Sequence, residues 1–252
     1  MRAKTAKNDY RITKTERILR TTVFAVFEIF TLATLLLTIP EGNTERVLIN
    51  LFTLLLLFIP ELVERLMKCK IHISAYLFGL VYAMGPLFGQ CYKLYYITTW
   101  WDKFLHTSGG VVFSLVGFYF FRLLDKGDGK NLLLGVLFSF FFSVTVSALW
   151  EFYEFGCDSL LGTDMQNDTV ITSVNSYKLG DSPDSIVRID NITEVCIDGT
   201  PIEVGGYIDI GVIDTMMDMI LESLGALVVA VIIYIDKGRH QLFTPAEEKL
   251  SA

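Results

Sequence analysis

Apolar residues in this chain come in blocks of roughly 17–22, the length a helix needs to cross a hydrocarbon core about 30 Å thick. Six such blocks run Thr21–Ile39, Val47–Val63, Ile73–Gly89, Phe104–Leu123, Leu132–Phe152 and Ile210–Ile235. A soluble chain of this size buries a core with shorter amphipathic segments that keep a polar face. Here 52% of residues are hydrophobic and 19% charged, and the charge is thin against a soluble average of about 25%. The fold expected is therefore an all-α polytopic membrane protein, a bundle of about six transmembrane helices. The second block is the weakest, because Pro60 and Glu61 shorten its apolar run to Val47–Ile59. The last carries Asp214, Asp218 and Glu222 in its first half.

The spans divide the chain into a basic N-terminal segment (1–20), helices one to five (21–155), an acidic loop (156–209), helix six (210–235) and a C-terminal tail (236–252). The polar leader is followed by a run ending at Thr38-Ile39-Pro40-Glu41 without a small-x-small site, so the first block reads as an uncleaved helix. Of the 21 Lys and Arg, all but Arg46, Lys93, Lys103, Lys178 and Arg188 fall on the side that holds both termini. The positive-inside rule then puts both ends in the cytoplasm. The net charge of −7 is a property of one loop, since ten acids lie between Cys157 and Asp209 against only Lys178 and Arg188. The basic face suits anionic lipid headgroups, so the lipid bilayer is the expected partner and no nucleic-acid site is read from it.

That loop is long enough to carry structure of its own. Strand signals run Val170–Val174, Ser185–Ile189 and Glu194–Ile197, and an Asp198-Gly199 turn leads into Thr200–Val204 as a β-hairpin. A small extracytoplasmic β-rich cap between helices five and six is expected. Of the four cysteines, Cys91, Cys157 and Cys196 fall on the outer side, where a disulfide has three possible pairings; Cys69 lies at the inner edge.

Three polar groups mark helix ends, all on the predicted outer side. Asp102 and His106 are four apart at the start of the fourth block and share a face. Glu151, Glu154 and Asp158 line a stripe closing the fifth. Asp214, Asp218 and Glu222 do the same entering the sixth. Each carboxylate in hydrocarbon costs a few kcal/mol, and such residues normally face a bundle interior or a water-filled cavity. One imidazole with several carboxylates suits a divalent metal such as Zn, Mn, Fe or Mg, with His106, Glu151, Glu154, Asp158, Asp214 and Asp218 as candidate ligands. Alternatively, Asp102, His106, Glu151 and Glu154 form a catalytic acid–base set with divided pKa values. Asp102 would orient the histidine.

Plainer readings compete with these. A lone interfacial histidine is more often hydrogen-bonded than a ligand, Trp100, Trp101 and Trp150 suit an aromatic belt, and Asp214 near a helix N-terminus is favoured by the macrodipole. Glu154 and Asp158 gain no such help at a C-terminal end and are the more informative pair. The Asp164–Asp168 stretch lacks the glycine and final acid of an EF-hand. There is no HExxH and no P-loop.

The order Asp102-Lys103-x-x-His106, Trp150-Glu151-Phe152-x-Glu154, then Asp214-Thr215-x-x-Asp218 ending in Gly225-Ala226 resembles the YjdF-like group of uncharacterised bacterial membrane proteins. It is more loosely similar to VanZ-like envelope proteins, though Glu154 stands where that group shows Gln and Glu222 where it shows Asn. The resemblance implies a bacterial cytoplasmic membrane location and brings no established reaction. Three functions follow as expectations: a metal-dependent membrane-embedded enzyme acting on a lipid-linked or envelope substrate at the outer leaflet, an ion- or proton-coupled transporter, and a non-catalytic structural membrane protein.

Overall fold

A computed structural model describes residues 12–67, 71, 73–125 and 131–236. The expected basic leader up to residue 11, Lys68, Cys69, Lys70 and His72, the residues Lys126–Lys130 and the tail from Lys237 lie outside the described residues. The described chain is mostly helical. In order it runs α1 (Lys14–Thr38), a 3-10 turn, α2 (Thr44–Leu56), α3 (Ile59–Met67), α4 (Ile73–Ala83), α5 (Gly85–Cys91), α6 (Leu94–Ile97), α7 (Trp101–Leu124) and α8 (Leu132–Leu161). Short strands β1–β6 follow, and then α9 (Val212–Asp236). Among the described residues, five helical stretches are long and apolar enough to cross a membrane: Lys14–Glu41, Thr44–Arg65, Trp101–Arg122, Leu132–Leu161 and Val212–Asp236. The expected third span, Ile73–Gly89, is instead divided between α4 and α5. Pro86, which donates no backbone hydrogen bond, sits in the first turn of α5 and the break falls at Met84.

Local chemistry sets the helix ends. Thr13 caps α1 through a capping box with Glu16. Gly42, at φ 69°, takes the left-handed position that turns the chain, and Asn43 then accepts from the Arg46 N–H to start α2.

The chain forms two compact units, Met1–Ser147 with Leu221–Ala252, and Ala148–Ile220. The first unit holds its polar residues inside and its apolar ones outside. Thr31, Asn50, Thr53, Ser114, Ser139 and Ser143 are fully buried, whereas Ile29, Leu36, Leu37, Leu55, Phe141, Ile232 and Ile235 are exposed. That distribution is the reverse of a water-soluble core and suits a hydrocarbon surround.

Within this unit α7 and α9 touch backbone to backbone. A Cβ on Gly110 would collide with the carbonyl oxygen of Glu222, and one on Gly225 with that of Thr107. Small residues permit this approach. Ser114 of α7 donates to Ala226 O at 3.4 Å and to Ser139 of α8 at 3.4 Å, tying three helices together. Beyond these hydroxyls lies an apolar cluster of Phe118, Val136, Val229, Ala230 and Ile233. Elsewhere in the unit, the Arg20 guanidinium donates to Glu64 at 2.7 Å and to the Ile71 carbonyl, and stacks over Tyr76.

The second unit carries the strands as three separate antiparallel pairs: β1 (Val170–Ile171) with β6 (Tyr207–Ile208), β2 (Val174–Ser176) with β3 (Val187–Ile189), and β4 (Val195–Ile197) with β5 (Thr200–Ile202). The last is the anticipated hairpin. Asp198 and Gly199, at φ 51° and 79°, supply its two left-handed turn residues. β6, near residue 207, was not anticipated as a strand and pairs back to β1.

Candidate functional site

Asp102 and His106 open α7, which three contacts fix in the first unit. Tyr82 Oη donates to Leu105 O at 2.9 Å, Trp101 Nε1 donates to Gly85 O at 3.2 Å, and the Leu105 side chain packs where a Cβ on Gly85 would sit. One helical turn separates Asp102 from His106, so both side chains leave the same face. His106 is 8% exposed.

The imidazole lies between two carboxylates. Nε2 is 3.7 Å from Asp102 Oδ1, and Nδ1 is 4.0 Å from Glu222 Oε2. Glu222 comes from α9 and is 4% exposed. Its other oxygen accepts from Ser143 Oγ at 3.4 Å, and the same hydroxyl reaches Gly110 O at 3.2 Å. The glycine contact and the serine thus hold Glu222 from two sides. A buried histidine with a different carboxylate facing each ring nitrogen can take an ion at one nitrogen while the other is oriented.

In the second unit, Glu151, Glu154 and Asp218 are buried, at 3%, 9% and 3% exposure. Asp158 serves the end of α8: it accepts from Thr163 Oγ1 at 2.6 Å and from the backbone N–H groups of Met165 and Gln166 at 2.7 and 2.9 Å. Asp214 accepts from the Asn167 N–H at 3.0 Å, and Gln166 bonds Thr215. Asp209 caps α9 through the Ile213 N–H at 2.7 Å and binds the Thr169 N–H at 2.8 Å. Asp158, Asp209 and Asp214 therefore each fix backbone of the 163–169 segment. Burial, and then the neighbouring carboxylates Asp168, Asp158 and Asp214, push the Asp164 carboxyl above the ordinary aspartate range.

Sequence reasoning put Glu222 on the acidic stripe but outside the site set, and it did not anticipate Ser143 or Tyr82. A signal existed for the first two: Ser139, Ser143 and Ser147 recur every four residues in an otherwise apolar helix, and Asp214, Asp218 and Glu222 do likewise.

A family model described as predicted membrane protein (DUF2238) matches residues 22–239, nearly the whole chain. The chain belongs to this family. The YjdF-like group is the same family, so the resemblance read from the acidic motifs holds across all the spans. No curated protein and no solved structure matches the chain. For this DUF2238 member, then, the membrane assignment is a family property, and its chemistry has to be argued from its own side chains.

Proposed function

We propose that this chain is a metal-dependent membrane-embedded enzyme whose ion is held by Asp102, His106 and Asp218. The observation that carries the reading is the buried imidazole of His106, with Asp102 beside Nε2 and Glu222 beside Nδ1. Ligating histidines commonly give their second ring nitrogen to a carboxylate. Glu222 then orients the ring, and Asp102, the orienting residue expected from sequence, becomes a ligand. Asp218 precedes Glu222 by one turn on the continuous helix α9, which favours it as a second carboxylate ligand. Two carboxylates and one imidazole suit Mn, Fe, Zn or Mg, and the ion would act as a Lewis acid or lower the pKa of a bound water. Glu151 and Glu154, both buried in α8, are the acid–base candidates. Asp158 and Asp214 have backbone partners that suit a supporting role.

With both termini cytoplasmic and α4–α5 completing a sixth crossing, the site faces the outer leaflet of a bacterial cytoplasmic membrane, within reach of a lipid-linked or envelope substrate. The apolar cluster of Phe118, Val136, Val229, Ala230 and Ile233 beneath the serines counts against a continuous polar path, and so against a transporter. Elemental analysis of protein purified in the presence of each metal is the test. The expected outcome is close to one equivalent in wild type and loss in Asp218→Asn. Wild-type protein that holds no metal, or an Asp218→Asn protein that holds as much as wild type, overturns the reading.

A further inference from the structure

We propose a second polar site in the first unit, remote in sequence from His106: a file of bound water along α2, between Arg46 and Thr53. Three side-chain atoms on one stripe of this helix are buried without a hydrogen-bond partner: Arg46 Nε, Asn50 Oδ1 and Thr53 Oγ1. Their spacing of i, i+4 and i+7 puts them on one face, over about 10 Å of helix axis at 1.5 Å per residue. Asn50 and Thr53 are wholly buried.

Neither orphan is explained by local bonding. The Asn50 amide is fixed, because Nδ2 donates to Arg46 O at 2.7 Å and to Cys91 Sγ at 3.2 Å; turning it over would set its oxygen against a carbonyl. Threonines inside helices commonly return their hydroxyl to the carbonyl one turn back, and Thr34, Thr98 and Thr145 do so at 3.0, 2.9 and 2.8 Å. Thr53 does not. A polar group left unpaired in a bilayer is strongly disfavoured.

The chemistry of the three atoms selects the ligand. It has to accept from the Arg46 N–H, donate to the Asn50 oxygen, and pair with a hydroxyl that does either. A bare cation could coordinate the Asn50 oxygen but cannot accept from the Arg46 N–H, and an anion cannot satisfy Asn50. Water does all three, and buried water requires two to four such partners. α5 meets this stripe through Cys91, beside which Gln90 bonds Glu45 of α2, and Arg46 pairs with Glu41 at 2.6 Å at the helix end, where water can enter. The file would carry water about 14 Å past the start of α2, close to half a bilayer.

Pulsed X-ray footprinting of the full chain in lipid nanodiscs tests this, because hydroxyl radicals arise wherever water is bound. Peptides covering residues 46–57, together with Cys91, should take up oxygen at least about fivefold faster than the exposed apolar residues Leu133, Leu134, Leu137 and Phe141 of α8. An Asn50→Leu, Thr53→Val double variant should fall to the α8 level. Wild-type α2 labelling no faster than α8 overturns the proposal, whether or not the variant folds. So does a folded double variant that labels as fast as wild type.

Discussion

His106 Nδ1 stands 4.0 Å from Glu222 Oε2, with both side chains buried where α7 and α9 touch through Gly110. Glu222 is held by Ser143 on its other oxygen, so its position does not depend on the histidine. A carboxylate so placed can fix the ring while Nε2 serves as the ligand atom. Glu222→Gln should therefore weaken metal binding by about 10- to 100-fold without abolishing it. His106→Ala should remove it. Titration with a competing chelator measures both, and equal losses in the two variants would remove the distinction between orienting group and ligand.

The glycines make a sharper prediction about packing. Gly110→Ala drives a methyl into the Glu222 carbonyl and should destabilise the protein by at least about 1–3 kcal/mol. Gly156→Ala, also within a helix, meets nothing within 4 Å and should be neutral or stabilising by about 0.5–1 kcal/mol. Thermal unfolding in detergent should show shifts of opposite sign.

The Arg20–Glu64 pair is nearly sealed, with side chains 7% and 2% exposed. Breaking it from one side strands a buried charge, so Glu64→Ala should cost about 3–5 kcal/mol. Replacing both partners, as in Arg20→Met with Glu64→Leu, should recover much of that loss. A double-mutant cycle on thermal stability checks it.

Asp164 supplies the pH prediction. Its carboxyl is raised by burial and by Asp168, Asp158 and Asp214, so the folded state holds its proton more firmly than the unfolded chain. Stability from this group is then greatest below the ordinary aspartate pKa and falls as pH rises from there to the raised folded value. Asp164→Asn should stabilise the second unit at neutral pH, and the gain should vanish in acid. Unfolding profiles of the two proteins between pH 3 and 7 should converge at the acid end.

Most of the architecture was legible because lipid imposes it. Blocks long enough to span a bilayer are visible without any knowledge of packing, and the Asp198-Gly199 hairpin follows from the φ values that turn needs. The division of Ile73–Gly89 was harder to see: Pro86 stands in the sequence, yet a proline in an apolar run can kink a span as well as divide it. The site was half legible. Stripe spacing gave the faces of single helices, so Asp102 and His106 could be paired. The rotation of one helix against another is set by contacts such as Gly110 with Glu222, and these involve residues more than a hundred positions apart. Asp158 is a local case instead: its stripe position makes it a ligand candidate, and its three donors come from the turn that follows α8, whose path back onto the carboxylate the spacing does not specify.

The most direct measurement is an anomalous-difference map, or X-ray absorption at the metal edge, on protein loaded with Mn or Zn. The account predicts an ion about 2.0–2.2 Å from His106 Nε2, sharing oxygens of Asp102 and Asp218. An ion on Nδ1 against Glu222, or none near His106, would contradict it.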